Sequence, residues 1–154
     1  KHSESGIIVE GLDNCLVKFA KCCTPVPGDP VVGFITRGFG VSVHRADCPN
    51  AAPARRKPEE AGRWVKVAWV DGDLTAYQTS LDISAKDRNG LTLDVAMALS
   101  TVKVKVTSLS ARSLPDGYAT VSISLEVRDK NELAAVSNKL GQIQGVYQVR
   151  RASG

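Results

Sequence analysis

The chain has 154 residues, of which 43% are hydrophobic, 23% charged and 5% aromatic. This is the composition of a folded globular protein with a mainly aliphatic core, and it excludes a disordered chain. No apolar run approaches the roughly 20 residues that span a bilayer, and no N-terminal series of residues reads as a signal peptide, so we expect a cytoplasmic protein without a membrane partner. Since the first residue is Lys1 rather than Met, we expect the sequence to be a piece of a longer protein.

Positive charge is concentrated near the start of the chain. The formal net charge is +4, and residues 15–57 alone carry seven basic side chains against two acidic ones. Such a segment indicates an anionic partner, most often nucleic acid, although a solvated surface has the same composition. The candidate phosphate contacts are Lys18, Lys21, Arg37, Arg45, Arg55, Arg56 and Lys57. We expect Arg37 and Arg45 to be the main contacts, because they lie in a segment that is predicted to be ordered.

The first half of the chain is predicted to be rich in β-structure. Residues 6–12 and 30–45 read as strands, with a hairpin or bulge between Gly38 and Gly40. Residues 14–20 fit either a short helix or a strand. After a proline-rich loop, Trp64–Val70 is predicted to be one strand with Val65, Val67 and Trp69 on one face.

The second half alternates strands with helices. A turn at residues 71–73 divides the chain into predicted domains 1–73 and 74–154. The apolar pattern then predicts strands at 77–85, 103–111, 118–127 and 146–150, and helices starting at Gly90 and Asp129. The order βαββαβ predicts an α+β ferredoxin-like domain, whose helices cover one face of the sheet and whose other face is polar. We expect no active site in this half.

The predicted helices of this half carry specific signals. Leu91, Val95, Ala98 and Val102 recur near helical spacing, which predicts the buried side of the first helix. Asp129 followed three residues later by Glu132 resembles a capping box at the start of the second. Its apolar stripe comprises Leu133, Val136, Leu140 and Ile143.

Three cysteines and a histidine give the strongest chemical signal. Cys22, Cys23, His44 and Cys48 match a tetrahedral zinc site with three sulfur ligands and one nitrogen ligand. One helical turn would direct His44 and Cys48 to the same side, and an irregular backbone near Thr24 would direct both adjacent cysteines inward. The alternative is a set of small buried residues beside a surface histidine. We expect Cys15 to be a core residue.

Two further segments contain weaker signals. Arg37–Gly40 fits the start of an RRM signature, but the residues that follow break it, and Phe34 or Phe39 is more often core than a base-stacking residue. Asn89–Gly90 lies between a strand and a helix, where exposed helix N–H groups can hold a carboxylate, although an ordinary loop has the same sequence.

Long strings of this sequence resemble one family. Residues 16–50 contain AKCC, PGD and GVSVHRADCPN, which resemble the C-terminal regulatory region of the RelA/SpoT homologues, bifunctional (p)ppGpp synthetases/hydrolases. ISAKDRNGL at 83–91 and the βαββαβ pattern resemble the ACT domain at the end of those proteins. The resemblance implies a zinc-finger-like (RIS) domain followed by an ACT domain, without the catalytic domains.

The resemblance implies a function in the stringent response. In the family this region is regulatory, contacts ribosomal RNA and tRNA on starved ribosomes, and sets the balance between (p)ppGpp synthesis and hydrolysis. The family's metal ligands correspond to Cys22, Cys23, His44 and Cys48. Its amino-acid site, expected to bind valine or isoleucine in an ACT homodimer, corresponds to Asp87, Arg88, Asn89, Gly90 and Leu91. Thr92 departs from the family's usual aliphatic residue, which weakens the expectation of tight apolar ligand binding.

Two alternatives follow from the same features. The ACT domain could be a purely structural dimerisation module that binds no ligand. The whole chain could also be a free-standing RNA-binding zinc protein, although the start at Lys1 and the family resemblance disfavour this reading.

Overall fold

The structure, a computed structural model, describes residues 6–11, 16–38, 40–52, 57–70 and 76–152. The chain divides into two compact units, of which the second comprises Ala76–Ala152. The turn at 71–73 lies outside the described residues, so the domain boundary stays a prediction. Neither helix within the described ranges combines the length and apolarity needed to cross a membrane.

The N-terminal unit consists of short strands. In chain order they are β1 (Ile7–Val9), β2 (Leu16–Phe19), β3 (Val31–Ile35), β4 (Gly40–Arg45), β5 (Trp64–Val65) and β6 (Val67–Trp69), with short 3₁₀ helices at Pro49–Ala51 and Pro58–Arg63. β1 pairs antiparallel with β6, and the other strands form a sheet of order β2-β4-β3-β5. β2 runs parallel to β4, whereas β3 is antiparallel to both of its neighbours.

The structure resolves one open choice of the sequence-based predictions in this unit and overturns one prediction. The undecided segment before Ala20 forms strand β2. The single strand predicted at Trp64–Val70 is wrong, because the ladder breaks at Lys66 and its two pieces pair in different sheets. The predicted shared face is nevertheless confirmed, since Val65, Val67 and Trp69 pack on the same buried cluster.

The C-terminal unit is a helix-covered sheet. Its elements are β7 (Tyr77–Lys86), α1 (Leu91–Thr101), β8 (Lys105–Ser113), β9 (Tyr118–Val127), α2 (Lys130–Gly141) and β10 (Val146–Arg151). The strand order is β10-β7-β9-β8 and every neighbouring pair is antiparallel. The predicted βαββαβ ferredoxin-like fold is confirmed.

Alternation along the central strands of this unit separates a core face from a polar face. Leu81 and Ile83 on β7, and Ile123 and Leu125 on β9, are almost fully buried, as predicted. The opposite face is joined by side-chain hydrogen bonds: the Ser80 and Ser124 hydroxyls lie 3.0 Å apart, and the Ser122 hydroxyl donates to Asp82 Oδ1 at 3.0 Å. The apolar burial that stabilises the sheet is therefore on its helix side, and hydrogen bonds join the strands on the other side.

The helices start and pack nearly as the sequence indicates. The Asp129 carboxylate accepts the Glu132 N–H at 2.8 Å, which confirms the cap, while Glu132 Oε1 accepts the N–H of Arg128 at 2.8 Å rather than that of the cap residue. In α1, Leu99 is buried, whereas Val102 is only half-buried because the helix ends before it.

Gly33 of β3 lies where the N-terminal unit has no room for a side chain. A Cβ at this position would lie 2.8 Å from Cγ1 of both Val41 and Val67. We expect Gly33→Ala to lower the free energy of unfolding of this unit by about 1–3 kcal/mol, because the valines must move apart. Urea unfolding followed by tryptophan fluorescence measures this, since both tryptophans belong to this unit.

Gly62→Ala is the matched control, because nothing lies within 4 Å of its added Cβ. Equal unfolding midpoints for the two variants would contradict the close packing at Gly33.

Candidate metal centre and its surroundings

The adjacent cysteines lie in a turn that follows β2. The carbonyl of Ala20 accepts the N–H groups of Cys23 at 3.4 Å and Thr24 at 2.9 Å, so the chain coils instead of continuing as a strand. Thr24 then has φ 40°, in the left-handed region that non-glycine residues rarely adopt. On a strand, neighbouring side chains would point to opposite faces. The turn instead brings the Cys22 and Cys23 sulfurs to 4.0 Å from each other.

His44 and Cys48 approach these cysteines from the end of β4. The expected helical turn between them is wrong: His44 lies in the strand, and Cys48 follows a turn in which its N–H donates to the Arg45 carbonyl at 2.9 Å. Parallel pairing of Phe19 with Val43 places the end of β4 beside the turn that follows β2. The four side chains therefore meet through pairing between distant segments.

The donor atoms of these four residues converge on one point. The Cys22 sulfur lies 3.4 Å from Nδ1 of His44 and 3.5 Å from the Cys48 sulfur, and the Cys23 sulfur lies 3.9 Å from the same nitrogen. All four donor atoms lie within 4.8 Å of one another. Two sulfurs bound to one tetrahedral zinc at about 2.3 Å are roughly 3.8 Å apart. The spacing and the donor types therefore fit a single metal ion.

Burial sets the protonation states at this cluster. Cys23 and Cys48 are buried and pack with Ala20, Ala51 and Trp64. Burial, together with the neighbouring thiols, raises the pKa of the Cys23 thiol to about 12, although a hydrogen bond from the Arg45 N–H at 3.3 Å opposes the rise.

Burial also lowers the pKa of His44, so its imidazole is neutral and can offer a lone pair. A thiolate at Cys23 therefore needs a cation beside it. The cluster is one that could hold a metal ion, and among the described residues it is the site with metal-ligand geometry.

The predicted RNA contacts differ in accessibility. Lys18 lies on edge strand β2, Lys21 lies in the turn beside the cluster, Arg37 lies in the β3–β4 turn, and all three are exposed. Lys57 is exposed as well. By contrast, the Arg45 side chain is only 16% exposed and lies 3.6 Å from Asp47, so its burial does not support the preference for Arg45. Arg55 and Arg56 lie outside the described residues.

Sequence reasoning missed an aromatic and cationic stack beside the metal cluster. Phe34 packs on Trp64 at a ring-centroid distance of 4.8 Å, and the Arg63 guanidinium lies 4.5 Å from the Phe34 ring centre. Arg63 also donates to the Ile35 carbonyl at 2.8 Å. No sequence signal marks Arg63, because strand pairing alone brings it next to Phe34. Phe39 and Cys15, which the sequence analysis also considered, lie outside the described residues.

The predicted amino-acid loop is tied together by Arg88. Its guanidinium donates to the carbonyls of Gln144 and Asn89 and to Oδ2 of Asp94, at 3.0, 3.1 and 2.7 Å. Gly90 has φ 83°, which a glycine tolerates before the first turn of α1. The Leu91 side chain is buried in the core, and its N–H donates to the Arg88 carbonyl at 3.3 Å. Asp87 is exposed.

Comparison with known proteins identifies both units. The family model of the RelA/SpoT RIS domain matches residues 7–70, and that of the ACT domain matches residues 73–151. The chain is 38% identical over 152 residues to a GTP pyrophosphokinase of Streptomyces coelicolor, covering 99% of this chain and 18% of the relative. It is 39% identical over 148 residues to the bifunctional (p)ppGpp synthase/hydrolase RelA of Mycobacterium tuberculosis, covering 96% and 20%.

A crystal structure of the ACT domain from the GTP pyrophosphokinase of Chlorobium tepidum has a TM-score of 0.46 and 25% identity to this chain. It covers 50% of this chain, and the match includes 99% of that structure. The chain spans about a fifth of the length of the curated relatives. The two matched domains and the two relatives show that the chain belongs to the RelA/SpoT family and comprises its regulatory RIS and ACT domains.

Proposed function

We propose that this chain is the non-catalytic sensor of a cytoplasmic stringent-response enzyme, and that it controls the balance of (p)ppGpp synthesis and hydrolysis. Its RIS domain binds zinc and contacts ribosomal RNA and tRNA, and its ACT domain dimerises and binds a branched-chain amino acid. The converging donor atoms of Cys22, Cys23, His44 and Cys48 are the observation that carries the proposal.

Zinc is the metal that the donor set fits best. Three sulfurs and one imidazole nitrogen form a closed tetrahedral set, which is typical of structural rather than catalytic zinc. The ion would supply the positive charge that a buried thiolate needs. It would also fasten the turn carrying Cys22 and Cys23 to the end of β4.

Purified without chelator, the protein should contain about one zinc per chain by elemental analysis, and Cys48→Ser should lose it. Removal of the metal should lower the melting temperature of the RIS domain, because the metal-binding free energy no longer adds to the folding free energy. Cys15→Ser is the control, since Cys15 lies outside the proposed ligand set. A metal-free wild-type protein with an unchanged melting temperature would refute the site.

Exposed cations along one edge of the RIS sheet support an RNA contact. Lys18 lies on edge strand β2, and Lys21 and Arg37 follow in the turns near its two ends. None of the three forms an ion pair within the described part of the chain. They are therefore available for phosphates, whereas Arg45 is held by Asp47.

We expect the double variant Lys18→Ala/Lys21→Ala to weaken binding to ribosomal RNA and to reduce the salt dependence. Each lost phosphate contact should lower the slope of log affinity against log salt by about 0.7–0.9. Affinity titrations at several salt concentrations measure both effects. Lys66→Ala is the control, because Lys66 is an exposed cation beside β5, at the opposite edge of the sheet. An unchanged slope in the double variant would remove these lysines from the contact.

The ACT loop offers groups suited to a free carboxylate. The N–H groups of Asn89 and Gly90 form no hydrogen bond within the described residues, and they lie at the positive end of α1. Two copies could associate through either of two surfaces. One is the α1 surface with the exposed side chains of Leu93 and Met97, and the other is an edge strand, β8 or β10.

We expect valine to bind with millimolar to micromolar affinity, which corresponds to roughly 4–8 kcal/mol, and to tighten the dimer. Gly90→Val should abolish valine binding, because a branched side chain at φ 83° disturbs the loop. Calorimetry and sedimentation measure binding and dimerisation. Gly11→Val, at φ 79° in the other domain, controls for backbone strain. Valine binding that leaves the dimer unchanged would contradict an interface site.

The second candidate function is a purely structural ACT dimer. The engagement of Arg88 with three groups of its own domain favours it, because those bonds hold the loop without a ligand. A dimer that binds none of the twenty amino acids in calorimetry would establish this alternative.

A further inference from the structure

The three cysteines of the candidate metal centre are free thiols that differ in their exposure. Cys22 is half-buried, whereas Cys23 and Cys48 are 1% and 0% exposed. Oxidation of a thiol follows its access to solvent, and a cysteine buried in apolar surroundings is inert. A small oxidant in solution therefore meets the Cys22 sulfur first.

Among the described cysteines, Cys48 is the one placed to react next with Cys22. Their sulfurs are 3.5 Å apart, against 4.0 Å between those of Cys22 and Cys23. A disulfide has its sulfurs about 2.0 Å apart, so closing the first pair takes a movement of about 1.5 Å. Neighbours such as Cys22 and Cys23 have Cα atoms only about 3.8 Å apart, closer than the roughly 4.4–6.8 Å of ordinary disulfides. The fold therefore favours a bond from Cys22 to Cys48.

The two sulfurs can approach each other without disturbing the sheet. Cys22 lies in the turn after β2, and Cys48 lies between the end of β4 and the 3₁₀ helix Pro49–Ala51. Neither residue belongs to a strand ladder, so a small shift of either segment breaks no strand pairing.

We propose that this cluster is a peroxide-sensitive thiol switch, in which Cys22 and Cys48 form a disulfide. The Cys22 sulfur attacks one oxygen of hydrogen peroxide, which breaks the O–O bond and gives a sulfenic acid and one water. The Cys48 sulfur then attacks the sulfenic sulfur and displaces a second water. Two thiols and one peroxide thus give one disulfide and two waters.

The disulfide takes over the cross-link that the proposed metal provides. It joins the turn after β2 to the segment after β4, but it leaves only Cys23 and His44 of the four candidate ligands. Two ligands are not the closed set of four that holds a structural zinc, so oxidation releases the metal. Thiol exchange reduces such a disulfide again. Release of the metal rests on the proposed function, whereas formation of the disulfide does not.

The first measurement uses the chain purified without chelator and carrying Cys15→Ser, so that three of its four cysteines remain. Hydrogen peroxide should lower the free thiols from three to one and the mass by two hydrogen atoms. Trypsin should then release residues 22–37 joined to residues 46–55. Bound zinc should leave in step with the thiols, which a chromogenic chelator measures. Dithiothreitol should restore all three thiols.

Serine variants identify the reacting pair. Cys23→Ser should still form the disulfide, and it is the matched control because it also removes a candidate metal ligand. Cys48→Ser should form none, and Cys22 should instead be oxidised to sulfinic acid, which dithiothreitol does not reduce. Cys22→Ser should keep its remaining thiols at the peroxide dose that oxidises the parent chain, since they are buried.

The map of the parent chain decides the proposal even where a variant fails to fold. A disulfide between Cys22 and Cys23, or sulfinic acid on Cys22 without any disulfide, would overturn it. Zinc that stays bound to the fully oxidised chain would overturn it as well. If the purified chain holds no metal but still joins Cys22 to Cys48, the thiol switch is supported and the zinc site of the proposed function fails.

Discussion

The parallel pairing of β2 with β4 is the constraint on which the candidate metal centre depends. It brings the end of β4 beside the turn after β2, although the cysteines in that turn and Cys48 are more than twenty residues apart in the chain. The same sheet carries the cluster on one side and the aliphatic core of Val41 and Val43 on the other. Disturbing this pairing would therefore affect the metal ligands and the core together.

The two domains are stabilised in different ways. The RIS domain has strands of two to six residues, and small units of this kind usually need a metal or another cross-link in addition to their core. The ACT domain has strands of up to ten residues, and the helix-side residues of its central strands β7 and β9 are buried. A metal at the cysteine cluster would therefore cross-link the first domain, where the strands are short.

Covering only one face of the ACT sheet leaves the other available for recognition. The core face consists of residues such as Ile83, Val121 and Ile123, whose burial stabilises the fold. The open face therefore tolerates charged and aromatic side chains, since they are not needed for the core. The loop before α1 is held by Arg88 at one end of this sheet, through hydrogen bonds to the Gln144 carbonyl and Asp94 Oδ2.

Local sequence patterns determined much of the secondary structure of this protein. Strict alternation in β7 and β9 predicted both the strands and their buried residues, because a half-buried strand has a period of two. The Asp129–Glu132 pair predicted the start of α2, since capping involves only neighbouring residues. The four candidate metal ligands were also predicted from the sequence, because three cysteines and one histidine match a tetrahedral zinc site, and the fold brings their donor atoms together.

Only the tertiary structure decided how these pieces meet. The break at Lys66, the strand conformation of β2 and the turn that joins Cys22 to Cys23 depend on pairing between segments distant in sequence. Three further features depend on which segments the fold brings together. They are the burial of Arg45, the hydrogen bonds of Arg88 and the contact between the exposed Tyr118 and Tyr147 rings. Local periodicity does not specify strand partners or register, so these features could not be read from the chain itself.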